Sequence, residues 1–356
     1  MASTKDRPGR RAGVIPDRNP ASDSGPEESL ERLEEAFRRA ARGSGGVFER
    51  LIAVGGRRLR IRAAGIAMLQ VVEPAFEHLV AELDGRAADL EVLAWDSAST
   101  GIALPDPPAG AVASRRSVWQ SGAGILTVLD DERRRGVVWV PSAAEVPSNE
   151  IAAPLRVFLH LAFGEMGTQF VHAAAVGRPD GGLLIVGRSG AGKSSTALSC
   201  LGSGLGVAGD DYVLASGGTE PWIHSLYSSA KLNTDQINRF PHLSQGVINR
   251  LAVGEKPEML LGRLFRSSIS RGFPLRAAVL PRVVGKGPTR ARRIGGASLL
   301  AALAPSTIFQ LPGTGRHTLT RLAGLLRRVP CFELQLGADL SEIPPELERV
   351  LDEVAA

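Results

Sequence analysis

The chain has 356 residues, 44% of them apolar and 22% charged, a balance that excludes a fibrous or wholly disordered protein and allows two packed cores. Its 42 basic against 37 acidic residues leave a net charge of only +5, too weak a field to argue for nucleic acid. Two cysteines, Cys200 and Cys331, with no CxxC pair or Cys/His cluster, argue against a disulfide framework and a zinc-type site, so a reducing cytoplasm is the expected location.

Residues 1–27 are rich in Pro, Gly, Ser, Asp and Arg and carry almost no large apolar side chain, so a disordered tail is expected there. They hold no apolar signal segment, and no apolar run in the chain reaches the length of a membrane span, so neither export nor a membrane is expected. Leu30, Leu33, Phe37 and Ala41 then recur at helical spacing. From Val47 to about Ser142 short segments such as "LRIRAAGIAMLQVV", "LEVLAWDSAST", "GILTVLD" and "GVVWVPS" read as strands, with "AFEHLVAEL" helix-like and "LPDPPAGAVA" a loop. This predicts a smaller N-terminal α+β domain over 28–145. A single apolar helix, "EIAAPLRVFLHLAFGEMG", is expected to lead into a second domain over 146–356. There "FVHAAAV", "GLLIVG", "GVAGDDYVLAS" and "LRAAVLPRVV" are strands apolar on both faces, the signature of an α/β sheet covered on both sides.

Gly187-x-x-x-x-Gly192-Lys193-Ser194 is a complete phosphate-loop motif between a buried strand, "LLIVG", and a helix, "SSTALSCL". Main-chain N–H groups of Gly187, Arg188, Ser189, Gly190, Ala191, Gly192, Lys193, Ser194 and Ser195 are expected to surround the phosphates of ATP at a helix start. Lys193 should reach the β- and γ-phosphates, and the Ser194 hydroxyl should ligate Mg²⁺. A bare glycine turn needs neither the lysine nor the serine.

Asp210 and Asp211 follow the strand after this helix, where a carboxylate would lie near the metal and phosphates. Neighbouring residues of an extended chain face opposite ways, so one can ligate metal while the other takes a proton. By itself "GDD" reads equally well as a turn, and His172 in "FVHAAAV" as a satisfied core histidine.

Together these residues resemble the bacterial HPr serine kinase/phosphorylase family and its relatives, among them kinases found with lasso-peptide biosynthesis enzymes. The blocks "VHAAAV", "LLIVGRSGAGKSSTAL" and "GDDYVL" carry the likeness, with looser matches in "LAWDSASTG", "SLYSSAKL", "ALAPSTIFQLPG" and "VPCFELQLGADLSEIPP". The resemblance implies a phosphoenolpyruvate carboxykinase-like P-loop domain on a mixed sheet. It further implies Asp210 as the base that activates a serine hydroxyl, Asp211 nearer the metal, and His172 and Lys193 beside the transferring phosphate. The glutamate-arginine-glycine stretch and the Lys-Pro-Tyr-Asp-Arg segment that accompany phosphorylase activity are not matched, so neither phosphorolysis nor HPr as acceptor is carried over.

Lysine is scarce, which draws notice to Lys231 and Lys256 as partners for a phosphate or an acidic substrate, against an equal chance of plain surface lysines. The basic run with Arg282, Lys286, Arg290, Arg292 and Arg293 reads first as a solvated hairpin. His224, Ser306 and Thr307 receive structural readings. The leading expectation is an ATP- and Mg²⁺-dependent kinase acting on serine of a small protein or precursor peptide. The alternatives are a small-molecule kinase of the same fold and a nucleotide-sensing module without turnover. Expected partners are a nucleotide and an acceptor protein or peptide, with homo-oligomerisation left open and neither nucleic acid nor membrane.

Overall fold

The structure is a computed structural model that describes residues 26–105, 115–120, 124–249, 255–308 and 316–355. The tail expected over 1–27 lies outside the described residues except for Pro26 and Glu27, which open the first helix. That helix, α1 (Pro26–Gly43), turns Leu30, Leu33, Phe37 and Ala40 to one side, where they pack with Leu93, Trp95, Val137 and Trp139 of a seven-stranded sheet.

The strands of this sheet are β1 (Val47–Val54), β2 (Arg57–Ala64), β3 (Val80–Ala81), β4 (Leu90–Asp96), β5 (Arg115–Gln120), β6 (Ile125–Asp130) and β7 (Arg135–Val140), in the order β3-β1-β2-β4-β7-β6-β5. Pairings β2–β4 and β4–β7 are parallel and the others antiparallel, so the sheet is mixed. Two segments differ from the sequence expectation. "LRIRAAGIAMLQVV" leaves its strand at Gly65 and continues as helix α2 (Ile66–Val72), because Met68, Leu69 and Val72 recur at helical spacing and are all buried. "AFEHLVAEL" forms a 3₁₀ turn over Pro74–Leu79 and then β3 in place of a full helix.

After the short α3 (Ser97–Thr100) and β7, the expected single apolar helix is two, α4 (Ser148–Ala152) and α5 (Arg156–Glu165). Pro154 lies between them, and the next residue, Leu155, adopts a left-handed φ of 55°. Helix α5 fills the space between the seven-stranded sheet and the second one. Its Phe158 ring takes the place of a side chain at Gly136, where a Cβ would approach it to 2.4 Å. Phe158, Leu159 and Phe163 share a core with Leu59, Val92 and Val138 on one side and Phe170, Tyr212, Leu214 and Tyr227 on the other. This core runs across residue 145.

The second sheet has nine strands: β8 (Gln169–Val171), β9 (Ala174–Arg178), β10 (Gly181–Ile185), β11 (Gly206–Gly209), β12 (Val213–Ser216), β13 (Trp222–Ser225), then, past the ribbon strands β14 (Ser229–Lys231) and β15 (Glu258–Leu260), β16 (Gly272–Val283), β17 (Arg290–Ile294) and β18 (Cys331–Leu336). Strands β8, β12 and β13 form one half and β11, β9, β10, β18 and β17 the other, and the long β16 joins the halves. Strands β14 and β15 pair only with each other as a ribbon.

Leu183 and Ile185 face one layer with Ala197, Phe332 and Leu347, while Leu184 and Val186 face the other with Leu299, Leu322 and Leu326. Helices α6 (Lys193–Leu198) and α9 (Ile343–Ala355) thus cover one face, and α7 (Gly296–Ile308) and α8 (Arg316–Leu326) the opposite one. The two-sided apolar pattern is therefore realised as a mixed sheet covered on both faces. The basic run is not a hairpin, because β18 lies between β16 and β17. Arg292 and Arg293 there pair with Glu333 and Glu353.

Candidate functional site

Neither "FVHAAAV" nor "GVAGDDYVLAS" is one continuous strand. The first breaks between β8 and β9 at His172–Ala173, and the second between β11 and β12 at Asp210–Tyr212. At each break the chain passes from one half of the large sheet to the other. The two crossings are neighbours, and at them the ladder gives way to side chains. His172 Nε2 lies 2.7 Å from Asp211 Oδ1.

The glycine loop leaves the carboxyl end of β10, the edge at which ligands bind in open α/β sheets. Gly190 and Gly192 have φ of 82° and 105°, so this turn requires glycine on conformational grounds, and a Cβ on Gly192 would in addition displace Leu336 Cδ1, 2.5 Å away. The buried Lys193 donates from Nζ to Gly187 O at 2.9 Å. Burial depresses its pKa, with Lys256 adding to the effect and Asp210 and Asp211 opposing it.

The two aspartates lie in different surroundings. Asp210 is 2% exposed; its Oδ2 accepts the Lys231 N–H at 2.9 Å, while Oδ1 has no hydrogen-bond partner among the described residues. The Ser194 hydroxyl is beside the same carboxylate. Burial pushes the Asp210 carboxyl up to about 6; Asp211 adds to the shift, and the Lys231 N–H, Ser194 and Lys193 oppose it. Asp211 has a side chain 39% exposed on the cleft wall. Burial raises its pKa too, but the His172 hydrogen bond and the charges of His172, Lys193 and Lys231 outweigh it and hold the carboxyl below its ordinary value.

One cleft of about 1820 Å³ connects these groups. Ser189, Gly190, Gly192, Lys193, Ser194, Ser195, His172 and Asp211 line it; Gly187, Arg188, Ala191 and Asp210 do not. Arg188 is exposed away from the lining. Both singled-out lysines line the cleft: Lys231 pairs with Glu258, and Lys256 Nζ is 3.3 Å from Ser189 Oγ. His224 sits outside it, with Nε2 3.0 Å from Ser216 Oγ and its pKa lowered to about 4 by burial. Thr307, read as a helix-end residue, is buried, and its Oγ1 accepts the His172 N–H at 3.3 Å.

The sequence reading missed Glu258, Arg156 and Tyr212. Glu258, 4% exposed, is paired to Lys231 and to the Ser148 hydroxyl. Arg156 donates to Glu150 at 2.6 Å and to the Tyr212 hydroxyl at 3.3 Å, and its guanidinium lies 5.7 Å from the Tyr212 ring centre. The Tyr212 ring in turn is 5.3 Å from that of His172. A lone arginine inside the apolar stretch "PLRVFLHLAF" was a usable signal, since a charge in such a run demands a partner.

For a metal, the oxygens of Ser194 and the partnerless Asp210 Oδ1 are the fitting donors, and an all-oxygen pair suits a hard cation such as Mg²⁺ that keeps several waters. Among the described residues no cluster of three or more His, Cys, Asp or Glu side chains is arranged to hold a metal, and no helix is long and apolar enough to cross a membrane. No protein-family model matches the chain, and no curated protein matches it.

Proposed function

We propose that the chain is an ATP- and Mg²⁺-dependent kinase with a phosphoenolpyruvate carboxykinase-like P-loop fold, transferring the γ-phosphoryl group to a serine hydroxyl of a small protein or peptide. One observation carries this reading: Lys193 and Ser194 of the glycine loop and the His172–Asp211 pair line the same cleft, with Asp210 immediately behind Ser194. The blocks from Phe170 to Ser216 that resemble HPr serine kinase supply the same residues.

The geometry favours exchanging the roles that the resemblance gave to the aspartates. Asp210 does not line the cleft, has one oxygen committed to a main-chain N–H, and sits against Ser194, which suits a metal ligand. Asp211 lines the cleft, keeps its charge at neutral pH and is oriented by His172, which suits a general base. The acceptor hydroxyl gives its proton to Asp211 as its oxygen bonds the γ-phosphorus and the bond from that phosphorus to ADP breaks. Lys193 and the loop N–H groups hold the phosphate oxygens while charge shifts toward ADP. Ser194 and Asp210 would hold Mg²⁺, which would supply neutralisation of phosphate charge. Tyr212, set by Arg156, fixes the His172 ring.

The cleft of about 1820 Å³ exceeds the roughly 300–1,000 Å³ of pockets that hold one small ligand and so has room for a nucleotide together with an acceptor. The test is transfer of label from γ-labelled ATP to a library of serine-containing peptides and to small hydroxyl compounds, resolved by mass spectrometry. Labelled phosphoserine supports the proposal. Label on a metabolite alone gives the small-molecule kinase, and nucleotide binding without transfer to any acceptor gives the sensor.

A further inference from the structure

Val283 is 62% exposed and Val284 40% exposed at the carboxyl end of β16. Single exposed valines are ordinary, but Val283 lines the cleft with the half-buried Leu340, and the core residues Leu336 and Ile343, 4% and 1% exposed, stand behind them, so an aliphatic surface is continuous with the glycine loop. A Cβ on Gly192 would lie 3.5 Å from Val283 Cγ2 and 2.5 Å from Leu336 Cδ1, so these side chains stand directly against the loop.

Strand order fixes which end of a bound nucleotide faces them. The loop leaves β10, and the aspartates follow β11, two strands to one side of it; β16 and β18, which end in Val283 and Leu336, lie on the other side. A triphosphate whose terminal group faces the aspartates therefore directs its nucleoside end toward Val283. We propose that Val283 and Leu340, backed by the buried Leu336 and Ile343, form an aliphatic shelf that holds the purine ring of the nucleotide whose phosphates occupy the glycine loop. This rests on the nucleotide-binding reading above and adds the location of the base. The shelf presents no hydrogen-bonding side chain among these four, so it recognises ring area.

Calorimetry with Mg-ATP and Mg-methyl triphosphate, which carries the phosphates without a base, tests this. The unmodified chain should bind ATP at least about tenfold tighter than methyl triphosphate. Val283→Asn combined with Leu340→Asn should bring ATP to within about threefold of methyl triphosphate and leave methyl triphosphate itself within about twofold. If the double variant does not fold, Val283→Asn alone, at a largely exposed position, should remove about threefold of the preference. Equal affinity of the unmodified chain for the two ligands overturns the shelf and leaves the loop reading intact. Full retention of the preference in the variant overturns it as well, and failure to bind either ligand overturns both.

Discussion

At the end of β4 in the seven-stranded sheet and just past β11 in the nine-stranded one an aspartate is almost completely buried, Asp96 at 1% and Asp210 at 2% exposure, and the two are satisfied differently. Asp96 caps α3: Oδ2 accepts Ser99 N at 2.9 Å and Ala143 N at 3.3 Å, and Oδ1 accepts the Ser99 hydroxyl. Asp210 is left with one oxygen lacking a partner among the described residues and with its pKa raised to about 6. A buried carboxylate with complete hydrogen bonding is scaffold, whereas an incompletely bonded one retains capacity for a ligand. The "LAWDSASTG" block, part of the family likeness, thus reads in this structure as a helix-capped turn.

The largest expected effect separates Asp211 from every other carboxylate. Asp211→Asn should lower phosphoryl transfer by about 10²–10⁴-fold while Mg-ATP affinity changes little, measured by label transfer and calorimetry. Retained transfer would return the base to Asp210.

Next comes stability. The folded state holds the Asp210 proton to higher pH than the unfolded chain, its pKa raised from the ordinary 3.8 to about 6, so its contribution to stability falls as pH rises across that window. Asp210→Asn should therefore gain up to about 3 kcal/mol in urea unfolding at pH 8 and nothing near pH 3, and should lose the Mg²⁺-dependence of nucleotide binding. Asp211 has the opposite sign: its depressed pKa contributes stability at neutral pH that is lost as pH falls through the folded value.

Asp96→Ala should cost about 2 kcal/mol through the lost cap and the N–H groups left unsatisfied, without altering nucleotide affinity. A change in affinity would mean that the two sheets are coupled. Smallest of all, Arg349→Ala removes the ion pairs of a half-exposed arginine to Glu346 and Glu353 on α9, and should lower stability in urea unfolding by no more than about 0.5 kcal/mol.

The glycine loop was legible because strand, loop and helix are contiguous and each residue type has a local reason to be there. The roles within "GDD" were not, because adjacency says that two carboxylates diverge without saying which one meets the cleft. The Glu258–Ser148 contact joins residues 110 positions apart through the β14–β15 ribbon, and no local pattern announces it. The hairpin reading of the basic run failed for a related reason. Turn residues predict that the chain reverses, but the parallel pairing of β16 with β18 placed a strand from later in the chain between the two arms.

Strand β16 pairs with β13 through Gly272–Pro274, with β10 through Leu275–Val279 and with β18 through Ala278–Val283. Phe273 and Leu275 enter one layer of the core, Ala277 and Val279 the other. Deleting a single residue here would invert that alternation in three ladders at once and drag Val283 away from the loop. Length changes are absorbed instead in the turn around Lys286 and Gly287, which makes that turn, and not the strand, the place to insert a spectroscopic tag or to open the chain for permutation.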